Sequence, residues 1–117
     1  MFLAVGEQML DNIDDQMVQM VRSLMGGVGG TQQEMCGVLS AGVMITGALI
    51  GARRPGDDEE ALKQAVAAYR DRFIAEIGPT KCATLRDGLY GSGGQEPCSV
   101  LARRGTSILL DVLEEYT

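Results

Sequence analysis

Three cysteines, Cys36, Cys82 and Cys98, are the residues of this 117-residue chain best suited to chemistry. Histidine is absent. Its absence removes Ser–His and Cys–His nucleophile pairs, imidazole bases, His-ligated haem and mixed Cys/His zinc sites together. What stays open to the cysteines is exchange with a disulfide or ligation of a soft metal. The gaps between them are long and no Cys-x-x-Cys occurs, so spacing indicates neither a zinc ribbon nor a thioredoxin-type pair.

Local context is more informative. Cys82 comes two residues after Thr80, an expected helix cap, and adjoins Lys81; Cys98 follows Pro97 at the expected first turn of the last helix. A thiol there faces unpaired N–H groups at the positive end of a helix dipole, which favours thiolate. Cys36 is expected one turn deeper in its helix, behind the capping box Thr31-Gln32-Gln33-Glu34, where the effect is weaker. The plain alternative is that free cysteines often only fill space in a core. Other groups read as structural. The run Gly26 to Gly30 lacks the preceding strand and following Lys-Ser/Thr of a phosphate loop, and reads as a turn that lets two backbones approach closely. Met9, Met17, Met20, Met25, Met35 and Met44 read as core packing, and the acids Asp57 to Glu60 as a solvated helix start.

The elements that must position the cysteines follow from apolar spacing. A short apolar run covers Phe2 to Leu10. Met17, Met20, Val21, Leu24 and Met25 recur at helical intervals after Asp14-Asp15. A central helix is expected from about Gln32 to Ala52; its apolar part, from Cys36, is shorter than the roughly 20 residues that cross a bilayer. Within it Gly47 and Gly51 form a small-xxx-small pattern suited to close packing. Leu62, Val66, Tyr69, Phe73 and Ile77 make the stripe of the next helix, stopped by Gly78-Pro79. Thr80 opens a short helical turn, Asp87 to Gln95 reads as a loop, and Glu96-Pro97 starts a last helix through Leu113. No two-residue alternation persists, so the fold class is all-α, a compact bundle of five to six helices forming a single helical domain over 1–117. No internal repeat is apparent.

Composition narrows the partners. With 45% hydrophobic residues the chain has material for a core. Ten basic against sixteen acidic residues give a net charge of −6, the wrong sign for neutralising phosphates, and aromatics are only 4%, so nucleic acid is not an expected partner. Nor is a membrane. The opening Met1 to Glu7 has no basic segment and reaches acid early, so a cytoplasmic location is expected, where thiols are kept reduced. A homodimer and a redox partner protein are both compatible with the sequence.

Taken together, Met25 to Gly30, Glu34 to Gly42, Lys81 to Arg86 and Pro97 to Leu101 resemble the redox-active family named for its cysteine pattern, C_GCAxxG_C_C. The order and distances cover the chain from Met1 to Glu115. The resemblance implies that Cys36, Cys82 and Cys98 are the positions the family name marks, with a redox or metal-cluster role. At Cys36 the signature is altered: Met35 precedes it, Gly37 follows it, and the small residues shift to Ala41 and Gly42. No cysteine precedes Cys36. The leading expectation is thiol–disulfide chemistry by Cys36, Cys82 and Cys98 gathered near one end of the bundle, in which Cys98, beside the glycine-rich Gly91 to Gly94 segment, attacks and Cys82 resolves. The alternatives are a metal ion or iron–sulfur cluster held by Cys36, Cys82 and Cys98, with a ligand added by a carboxylate, solvent or a second subunit, and a structural or interaction bundle whose cysteines are incidental.

Overall fold

In a computed structural model of the protein, residues 5–7, 10, 13–51, 54, 58–91 and 94–117 are described. Phe2, Leu3, Met9, Ala52, Asp57 and Gly93, which entered the expectations above, lie outside them. Among the described residues there is no strand, and the helices form an all-α bundle.

Val5 to Glu7 are helical, and α1 (Asp15–Arg22) follows. Asp14 caps α1 by accepting the Met17 N–H at 2.8 Å, and Asp15 and Arg22 sit at the ends that favour their charges. Met17 and Val21 pack against the core, but Met20, Met25 and Met35 are exposed, which corrects their assignment as core residues. The seam of α1 is narrow, and the helical recurrence of Met17, Met20, Val21, Leu24 and Met25 overstates it.

The helix stops short of Met25 because the chain then turns left-handed. Gly26, Gly27, Val28, Gly29 and Gly30 all have φ between +56° and +75°. Runs of this kind are rare in L-chains, because each non-glycine residue there costs roughly 1–2 kcal/mol. Val28 carries that strain. The turn also overturns the expected capping box. Thr31 Oγ1 donates to Gly27 O at 2.8 Å, and the Glu34 N–H goes to the same carbonyl at 3.3 Å, so neither group opens a helix. The central helix α2 is therefore Gly37–Ile50, with Cys36 at its N-cap, rather than starting at Gln32.

Two hydroxyls are buried in α2, and both are satisfied within it. Ser40 donates to Cys36 O and Thr46 to Gly42 O. No described helix is long and apolar enough to cross a membrane. Close packing occurs at Gly42, where a Cβ would lie 2.4 Å from the Tyr69 ring, and not at Gly47, which has open space beside it. The expected small-residue contact is thus one turn nearer the helix start.

Tyr69 belongs to α3 (Glu60–Glu76), whose buried residues are Ala65, Tyr69 and Phe73; Leu62 and Val66 are half-buried. The Tyr69 hydroxyl donates to Gly105 O at 3.2 Å, with Val38 O at 3.5 Å. Gly105 lies in α5 (Cys98–Tyr116), so one phenol joins α2, α3 and α5, the three helices that pack on one another. The inner face of α5 is Leu101, Gly105, Ile108, Leu109, Val112 and Leu113, as its spacing requires. Between α3 and α5 lies the short α4 (Cys82–Arg86). Thr80 does not cap it: Lys81 is the N-cap, no side chain caps the turn, and the Thr80 carbonyl instead accepts the Cys36 N–H at 2.7 Å. The segment before α5 is tied down by Arg104, which donates to the Tyr90 hydroxyl at 2.6 Å and sits 5.8 Å from the ring centroid.

Candidate functional site

Each cysteine stands at the start of a helix. Cys36 is the N-cap of α2, and Cys82 and Cys98 are the first residues of α4 and α5. The same three-residue step follows each one: Cys36 to Leu39, Cys82 to Leu85 and Cys98 to Leu101, with all three leucines buried. Residues three apart share a helix face, so the leucine fixes the helix start in the core and sets where its cysteine lies. This Cys-x-x-Leu step was readable in the sequence.

Backbone pairing brings two of the starts together. Met35 and Lys81 form an isolated antiparallel bridge; beside it the Cys36 N–H donates to Thr80 O at 2.7 Å and the Cys82 N–H to Glu34 O at 2.9 Å. The left-handed turn closes over this bridge. A Cβ on Gly27 would lie 2.7 Å from Cys82 Cβ and 2.9 Å from both Gln32 Cα and Glu34 O, so only glycine fits. The close approach expected of the glycine run is therefore found, with Cys82 as the neighbour.

Cys36, Cys82 and Cys98 all line one cleft of about 380 Å³. Apolar groups including Leu85, Leu101 and Ala102 share its wall. The thiols differ in access: Cys36 and Cys82 are buried and Cys98 is exposed, and all three are free. Burial pushes the Cys36 thiol above its ordinary value. The Val38 and Leu39 N–H groups at the start of α2 oppose that shift, and the neighbouring Cys82 and Cys98 add to it. Cys36 therefore stands closer to the helix-start donors than the weaker effect expected of it implied, yet its desolvation wins.

Arg86 also lines the cleft and was not singled out from the sequence. Its Nε and the Cys98 Sγ lie 3.2 and 3.3 Å from the position of a Cβ on Gly91, which places cation and thiol beside the same glycine. The signal was present, because Arg86 is four residues after Cys82 and so falls on the same face of α4. Among the described residues no three Cys, Asp or Glu side chains are grouped closely enough to hold a metal ion.

No curated protein and no solved structure matched the chain significantly. The family described as "Putative redox-active protein (C_GCAxxG_C_C)" matches residues 1–112. That match spans the left-handed turn, all three cysteine-bearing helix starts and most of α5, so the chain belongs to the C_GCAxxG_C_C family.

Proposed function

We propose that the protein carries out thiol–disulfide exchange at the cleft shared by Cys36, Cys82 and Cys98. The observation that carries this reading is that three helix starts, far apart in sequence, contribute their cysteines to one cavity wall. Cys98 is the attacking residue because it is the exposed thiol of the three. As thiolate it attacks one sulfur of a substrate disulfide; that S–S bond breaks, a Cys98–substrate mixed disulfide forms, and the first substrate thiolate leaves and takes a proton from solvent. Cys82 then attacks the Cys98 sulfur of the mixed disulfide. The second substrate thiolate departs, a Cys82–Cys98 disulfide is left, and two electrons have passed from protein to substrate. A thiol reductant, as partner protein or small molecule, restores the dithiol. Cys36, held protonated by burial, takes no step in this scheme.

Free-thiol titration before and after mild diamide treatment tests the proposal. Two thiols per chain should disappear, with peptide mapping linking Cys82 to Cys98, and Cys98→Ser should abolish the loss. If all three thiols persist while circular dichroism shows a folded protein, the proposal fails.

A further inference from the structure

We infer that the cleft selects a small, carboxylate-bearing sulfur compound, and that Arg86 is the residue that reads its charge. This rests on Cys98 being the reactive thiol in the function proposed above, but on none of the later steps of that function.

Among the described residues lining the cleft, Arg86 is the charged one; its neighbours there are cysteine thiols, glycine and aliphatic side chains. A half-buried guanidinium in an otherwise apolar wall forms and breaks no bond in thiol–disulfide exchange; it acts only electrostatically, on charged sulfur or on a charged substituent of the ligand. Its position is informative: Arg86 Nε and Cys98 Sγ approach the same point beside Gly91 to 3.2 and 3.3 Å. A molecule whose sulfur meets Cys98 therefore brings groups one or two bonds from that sulfur within reach of the guanidinium. Arg86 already has a partner in the fold, and a guanidinium, with five donors in a planar fork, can keep one partner and offer other N–H groups to a carboxylate. Size points the same way, since about 380 Å³ is at the small end of ligand cavities.

The remainder of the molecule makes the inference discriminating. A chain of net charge −6 repels anions at long range, so its overall field predicts slower reaction with anionic reagents than with neutral ones. A preference for the anion at Cys98 must then be local.

The test compares alkylation of the folded protein by iodoacetate and by iodoacetamide, reagents of nearly equal size that differ by one carboxylate. Mass spectrometry locates the modification at Cys98. The ratio of the two rate constants should be higher in the native protein than in the urea-unfolded chain. Arg86→Gln should lower that ratio about tenfold, as expected for loss of one charge-assisted contact, while any change in the thiolate population alters both rates alike and cancels in the ratio. Arg86→Lys, which keeps the charge and loses the fork, should restore part of it. A native ratio equal to that of the unfolded chain, or one unmoved in a folded Arg86→Gln protein, overturns the inference. Alkylation needs no second cysteine, so the two proposals fail separately. Charge selection without any Cys82–Cys98 linkage sinks the exchange reaction and keeps the anion site; linkage with no charge selection does the reverse.

Discussion

Cys36 and Tyr69 are both acids whose protons burial holds more tightly than in the unfolded chain. Their contribution to stability is complete below the ordinary value, 9.0 for the thiol, and is lost as pH rises through the raised folded value. In that interval the native state binds more protons than the unfolded one, so the urea midpoint should fall as pH climbs beyond 9.0. Cys36→Ser removes the thiol's share, and the alkaline slope should flatten. Tyr69→Phe should flatten it further, at a neutral-pH cost of about 1 kcal/mol for the hydroxyl that bridges Val38 O and Gly105 O. An unchanged midpoint between neutral and strongly alkaline pH would contradict both assignments.

Two glycines of α2 are chemically identical and structurally opposite. At Gly42 a Cβ would meet three Tyr69 atoms within 2.6 Å, and Tyr69 is fully buried, so it has nowhere to retreat. Gly42→Ala should push α2 from α3 and destabilise the protein by about 3 kcal/mol, the upper end of ordinary overpacking. Gly47→Ala meets nothing within 4 Å, and should stabilise the helix by about 0.5–1 kcal/mol, both read by urea denaturation. This contrast also marks what the sequence could disclose. Periodicity identified the helices, and proline with an apolar stripe placed Cys98 at a helix start, because these are local signals; Cys82 also stands at one, although the Thr80 cap from which that was read is not made. Which glycine of α2 touches a neighbour depends on the rotation of one helix against another, and no local signal carries that. Cys36 was misplaced for a related reason. Five successive positive φ values redirect Thr31 and Glu34 away from capping, and a Thr-x-x-Glu pattern looks the same whether or not its hydroxyl is already engaged. Arg86 was legible by its four-residue step from Cys82, but only once the cleft gave that face of α4 a meaning.

Across the molecule, the acidic surface field and Arg86, the one cation among the described residues lining the cleft, oppose each other, and salt separates them. Screening acts first on distant exposed charges and less on a half-buried contact. In Arg86→Gln only the repulsive field remains, so its iodoacetate rate should rise with added salt while its iodoacetamide rate stays level; equal salt response of the two reagents would contradict this. The left-handed turn bears on how such a site can change over generations. Gly26 and Gly37 give the cleft a stretch of wall made of bare main chain, and Gly27, behind it, admits no larger residue. At Gly26 and Gly27, where φ is positive and neighbours crowd the Cβ position, mutation therefore has little to adjust. New ligand preferences in descendants of this chain would have to arise on α2, α4 and α5, at Val38, Ala41, Leu85, Arg86, Leu101 and Ala102, while the turn stays as an inherited mould.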